Sequence, residues 1–232
     1  MRAHGALTAC AVAAMSAAAA VGTAGCGGGS GSGDSATIAP AGDPTTTSAS
    51  ASPTASSAGK AGAPLTIDPA VALPTDVKVV FDWTMPADTA QHAALTAAAN
   101  YLQSVDHAVV KQNLQDPPMY AHSANTALAH GKEYVQANIS GKLTLSGTDR
   151  FYLPAFTEGS GGAKATSVGI TLCEDQSKLY SKEIATGKVR VTGDDPRNYL
   201  SYSLVVVKVA TAHPFWQVQG LAVKEGAKQC MQ

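Results

Sequence analysis

Long apolar runs are scarce in this chain. The one candidate lies near the start, from Ala6 to Val21, uncharged and mostly alanine. It falls short of the roughly 20 apolar residues that a membrane-spanning helix needs, and nothing later in the chain comes nearer. A permanent membrane helix is therefore disfavoured. An excess of charge of one sign is also missing: 16 Lys and Arg stand against 17 Asp and Glu, with the signs interspersed and no basic stripe. That excludes nucleic acid as an expected partner. Catalytic and metal motifs are absent too. There is no Cys-x-x-Cys, no His-Glu-x-x-His, no Gly-x-Ser-x-Gly and no glycine-rich loop opening a helix to hold phosphate. His122 and His130 could share a helical face, but no third ligand has an informative spacing, and Asp194-Asp195 reads as a turn rather than a calcium loop. No metal and no cofactor is expected.

Cysteine is sparse, with four residues at positions 10, 26, 173 and 230. Residues 1–25 have the form of a secretory signal: a short positive start at Arg2, the alanine-rich run, then small residues Gly22 to Gly25. Leu7-Thr8-Ala9-Cys10 spells a bacterial lipobox, yet too little chain precedes it to insert. Thr23-Ala24-Gly25-Cys26 follows the full apolar run and so stands where a lipobox belongs, with Thr23 replacing the usual branched aliphatic residue. The rival is ordinary secretion by cleavage at Gly22-Thr23-Ala24. Parity favours lipidation of Cys26, because it leaves Cys173 and Cys230 as an even pair in an oxidising compartment. The expected address is extracytoplasmic, tied to the outer face of the cell membrane by lipid on Cys26.

Residues 26–63 hold that cysteine and a linker of Gly, Ser, Thr, Ala and Pro, without an aromatic residue and with Ile38 its only large aliphatic one. Such a composition cannot repay the entropy of ordering. As a flexible coil it spans about 33 Å on average.

Residues 64–232 suit a single domain with one core. Val77, Val79 and Phe81 alternate with Lys78, Val80 and Asp82, an imperfect strand pattern. Asp88 and Gln91 then form a capping-box pattern before an apolar stripe of Leu95, Ala98, Leu102, Val105 and Val109. Asp106 falls one position off that stripe, where a solvated carboxylate is expected. Pro117-Pro118 breaks the helix, and a second is expected over about 122–136, weakened by Gly131. Beyond Asn138 the period becomes two. The expected strands are "GKLTLSG" and "DRFYLPAF" either side of a Gly147-Thr148 turn, "ATSVGITLCED" ending at Cys173, a short strand in "TGKVRVTGDDPRN", and the long pair "YLSYSLVVVKVA" and "FWQVQGLAV". In the last of these Trp216 is expected to face the core rather than a partner. The class is α+β: two N-terminal helices packed on a curved, mostly antiparallel sheet, preceded by a signal peptide and disordered linker. A Cys173–Cys230 disulfide would join one strand to the chain just past the last; two buried free thiols are the alternative.

The lipobox-like Cys26, the low-complexity tether, "DVKVVFDW", the late "WQV" strand and the cysteine pair together resemble exported actinobacterial lipoproteins. The order of elements also resembles the cone-shaped fold of nuclear transport factor two, shared with ketosteroid isomerases and small polyketide cyclases. That resemblance implies a conical pocket between helices and sheet, with an Asp or His as acid or base and Tyr as a hydrogen-bond donor. The candidates it brings forward are Tyr101, Asp106, His107, His122, His130 and Tyr202, none of them in a family motif. The leading expectation is a non-enzymatic envelope lipoprotein presenting a binding or interaction domain to a small apolar ligand or another envelope protein. The alternative is a lyase or isomerase acting by proton transfer on a small apolar substrate.

The anchor is tested by mass spectrometry of the mature protein taken from its native membrane. A lipidated N-terminal Cys26 is the expected result, and an unmodified N-terminus at Gly25 would overturn it.

Overall fold

An aspartate followed by a run rich in alanine sets the longest helix. In the computed structural model, which describes residues 62–157 and 160–231, Asp88 caps helix α1 (Thr89–Val110) by accepting from the Ala90 and Gln91 N–H groups, each at 2.9 Å. The signal segment, Cys26 and most of the tether lie outside the described residues. Alanine is the strongest helix former, and its small side chain lets α1 approach its neighbours closely: Ala94, Ala98, Ala99 and Ala108 are fully buried.

The two prolines do more than interrupt. Pro117 and Pro118 open a short helix, α2 (Pro117–His122), where the first turn needs no N–H donor. The helix expected over about 122–136 starts three residues later, with α2 as a separate short helix before it. Ser123 and Ala124 are extended, the Ala124 N–H donates to the Val218 carbonyl, and α3 runs from Asn125 to Gly141. Gly131 is accommodated because a Cβ there would lie 3.2 Å from both Met119 and Val105. Its absence lets α3 pack closely on α1 and α2. There are three helices among the described residues, not two.

The strands are β1 (Val77–Asp82), β2 (Leu143–Phe156), β3 (Ser167–Glu183), β4 (Val189–Arg190), β5 (Tyr199–Val209) and β6 (Phe215–Glu225). They form one sheet in the order β1-β2-β3-β5-β6, with β4 on the far end of β3. β1 runs parallel to β2, Val77 opposite Gly147, and the other pairs are antiparallel, so the sheet is mixed. Two strand expectations are corrected. The Gly147-Thr148 pair does not turn the chain: β2 continues through it as a single strand with register shifts at Thr148/Arg150 and Tyr152/Ala155. Gly147 has φ +104°, and a Cβ there would meet the Lys178 carbonyl oxygen at 2.1 Å. The glycine marks a bend in a strand rather than its end. Likewise β3 does not stop at Cys173 but extends to Glu183, because β2 remains beside it as a partner.

α1 lies across β2, β3, β5 and β6, and α3 packs on β2 and β6. The main core joins Leu95 and Leu102 of α1 to Phe151, Ile170, Leu204 and Val218. A second cluster, including Val77, Val109, Met119 and Val135, closes the α2–α3 end. Trp216 packs against the main core while its neighbour Phe215 is exposed, as alternation requires. Cys173 and Cys230 are bonded, with Cα atoms 5.4 Å apart. The Tyr152 hydroxyl donates to the Cys230 carbonyl, so the C-terminal turn Lys228–Cys230 is fastened to the outer face of β2 and β3.

Cross-linking residues 57 apart in sequence stabilises by about 4 kcal/mol in the chain-entropy account. Denaturant melts of Cys230→Ser, or of the reduced protein, are expected to show a loss of about 2–5 kcal/mol.

Candidate functional site

Asp106, Asp149 and Glu174 come from three different elements and line one cavity of about 300 Å³ between α1, α3 and the sheet. All three are buried, at 4%, 1% and 2% exposure. Asp106 is thus no solvated carboxylate. It follows Leu102 by one helical turn, and α1 is covered on so much of its surface that the position beside the stripe faces inward. Asp149 lies at the first irregularity of β2, where the register passes from Thr148 opposite Lys178 to Arg150 opposite Asp175. The extra residue there belongs to β3, while β2 alternates regularly, so the inward residue between Leu145 and Phe151 is a carboxylate by the ordinary two-residue period. Glu174 continues the inward face of Val168, Ile170 and Leu172 on β3.

Few of their oxygens find partners. Gln176 Nε2 donates to Glu174 Oε1 at 2.8 Å, but Asp106 Oδ2, Asp149 Oδ1 and Glu174 Oε2 have none. The Tyr202 hydroxyl lies beside Glu174 without completing a close hydrogen bond to Oε2. Tyr101 is committed elsewhere, donating to the Ala127 carbonyl at 2.8 Å.

Burial is the first cause of what these groups do with protons. It pushes Asp106 well above the ordinary carboxylate range, and the charge of Glu174 adds to it. Asp149 is pushed well up by burial, then by Glu174 and Asp106. Glu174 is raised by burial too, with Gln176, Tyr202 and Asp149 drawing it back towards ionisation. Asp149 and Glu174 therefore form a pair that shares a proton, held mainly by Asp149. Tyr202 is raised far above its usual value by burial and by the two carboxylates, so it stays a neutral donor. His130, half-buried on the cavity wall, is lowered by burial against the opposing charge of Glu133, and is a neutral imidazole at neutral pH.

Of the residues brought forward from sequence as a pocket, Tyr101 and Tyr202 line the cavity and His107 and His122 do not. His107 follows Asp106 directly, so it projects about 100° away around the helix. It meets Asp116 Oδ2 at 3.0 Å and ties the end of α1 to the start of α2. His122 meets Asp68 Oδ2 at 3.1 Å. Both serve connections between segments. Asp149 and Glu174 were missed, although alternation from Leu145 and from Val168 points to them once the strands are carried through. Among the described residues no three His, Cys, Asp or Glu side chains are grouped as metal ligands. A row of aromatic rings leads inward: Trp83 to Phe81 at 5.0 Å, Phe81 to Phe151 at 5.7 Å, and Phe151 edge-on to Tyr202 at 6.1 Å.

No protein-family model matches the chain, and no curated protein matches it. Among solved structures, the intermembrane space region of the chloroplast protein ARC6 aligns with a TM-score of 0.33 and 12% identity, over 57% of this chain and 96% of that one. So low a score supports no inference about fold or function.

Carboxyls whose folded pKa is raised bind protons more tightly in the native state than in the unfolded chain. Their contribution is most favourable at acid pH and is lost as pH rises from about 4 through the raised values. Asp106→Asn is therefore expected to stabilise the protein at neutral pH by about 1–3 kcal/mol. The gain should shrink towards pH 4, as measured by denaturant melts across that range.

Proposed function

We propose that the chain is a lipid-anchored extracytoplasmic protein whose folded domain binds a small organic molecule in its inner cavity. The observation that carries this reading is the cavity itself. Where a stable core would place apolar side chains, the domain keeps about 300 Å³ open and surrounds it with three buried carboxyl groups lacking full partners. Such an arrangement costs stability, and ligand pockets of this size, mostly apolar with a few convergent polar groups, are the usual reason for it. The address rests on the leader and Cys26 in the sequence. The layout of three helices over a bent mixed sheet, with a cavity between them, supports the resemblance to the cone-shaped fold of nuclear transport factor two.

A second reading, proton-transfer catalysis on a small apolar substrate, is favoured by the Asp149–Glu174 pair beside Tyr202. In it Glu174 takes a proton from carbon, and Tyr202 or protonated Asp149 donates to the oxygen on which charge develops. Binding alone needs no such pair.

Native mass spectrometry of the protein from its own membrane is expected to show a co-purifying small molecule. Val105→Trp, which places an indole in the cavity mouth, should remove it; retention in that variant would overturn the cavity reading. In the catalytic reading, wild-type protein in D2O exchanges a carbon-bound proton of that molecule and Glu174→Gln does not.

A further inference from the structure

The cavity wall holds carboxyl groups without a cationic partner. Asp106, Asp149 and Glu174 stand within it and Glu225 at its rim, while no Lys or Arg lines it. Arg150 pairs with Asp82 at 2.6 Å and lies over the Tyr152 ring, Lys132 lies over Tyr120, and Arg197 pairs with Asp195 at 2.8 Å. Asp106 Oδ2 is buried without a partner, and Asp149 Oδ1 and Glu174 Oε2 have only the proton shared within their pair. An occupant must satisfy such oxygens or leave them desolvated.

These facts discriminate among occupants. An anion would meet carboxyl groups and no counter-charge. A purely apolar molecule would leave these oxygens desolvated. A bare metal ion would lack a ligand cage, since the carboxyls are not grouped for one. An ammonium group, by contrast, needs no closed cage and brings its own N–H donors to the acceptors within its reach. Its hydrocarbon part would cover Leu102, Leu200 and Val223, beside the Phe151 and Tyr202 rings that also line the cavity. The volume equals about ten water molecules, enough for a small amine of about that many heavy atoms.

We propose that the ligand of this cavity is a small organic amine, bound as its ammonium ion by the carboxyl groups of Asp106, Asp149 and Glu174. This inference rests on the cavity being a binding site and adds the chemical class of what it binds. It also revises the expectation of an apolar ligand: the apolar part is retained and a positive charge is added.

Proton balance follows. The groups facing the site are Asp106 and Tyr101 from α1, His130 and Tyr134 from α3, and Asp149 from β2. Glu174, Tyr202 and Glu225 complete it from β3, β5 and β6. The tyrosines and His130 are neutral at neutral pH, and the raised carboxyls hold protons in the empty cavity. An entering ammonium ion favours their ionised forms, so binding releases a proton to solvent. Affinity then rises with pH until the amine itself loses its charge.

The test titrates the mature full-length protein in detergent with three isosteric probes: phenethylamine, 2-phenylethanol and phenylacetate. Phenethylamine is expected to bind at least tenfold more tightly than the alcohol at pH 7, with heat that depends on buffer ionisation and an affinity falling several-fold from pH 8 to pH 5. Phenylacetate should not bind. Asp149→Asn, which replaces a neutral buried carboxyl by an amide of the same shape that cannot ionise, should lower amine affinity at least tenfold and leave the alcohol unchanged. An alcohol that binds as tightly as the amine would overturn the proposal while leaving the cavity a binding site. Binding of none of the three at millimolar concentration would overturn both.

Discussion

The pairing of β2 with β3 is the constraint on which the rest depends. Two strands of 14 and 17 residues are longer than a flat two-sided sheet could cover with one helix, so the pair must bend to close over a core. The two register shifts between β2 and β3 supply that bend. Asp149 faces inward beside the first of them by the alternation that runs from Leu145 to Phe151, and the continuation of β3 past Cys173 sets Glu174 beside it. Curvature and chemistry thus arise at one place in the sheet. On the opposite face the same pair carries Tyr152 and Cys173, to which the C-terminal turn is fastened by the disulfide.

α1 completes the enclosure. Its alanine face approaches the sheet closely at the Ala94–Ala98 end, where the core is solid. Further along, Tyr101, Leu102 and Val105 hold it away from β3 and β5 and the cavity opens. Asp106 follows at that wider end. The taper follows from side-chain size along one helix: small residues near the N-terminus, larger ones a few turns on.

The domain accepts an electrostatic cost for this arrangement. Three buried carboxyls without a cation favour the protonated forms and repel one another when ionised. The dense aromatic packing of Phe81, Phe151 and Tyr202 and the Cys173–Cys230 bridge offset that cost nearby. Stability withheld at a concave polar site and restored around it is the general pattern of a binding centre.

Much of the architecture was legible in residue order. The Asp88 cap, the stripe from Leu95 to Val109 and the two-residue period of the late strands are local signals, and each names its element; the partnership of Cys173 with Cys230, 57 apart, was legible from cysteine parity instead. Local signals failed where a residue's role depended on a distant partner. Gly147-Thr148 looks like a turn until Lys178 is beside it; Pro117-Pro118 looks like the end of a helix but opens α2, α1 having already ended at Val110, and Ser123 and Ala124 then pair with Val218 of β6. His107 and His122 have the chemistry of a site but are spent on Asp116 and Asp68. The sequence by itself determined the α+β class, the helix caps and the strand faces, since periodicity and capping are read within a few residues. Only the tertiary structure decided that Asp106, Asp149 and Glu174 share one cavity, because their convergence requires a bend in β2 and the approach of α1 across the sheet.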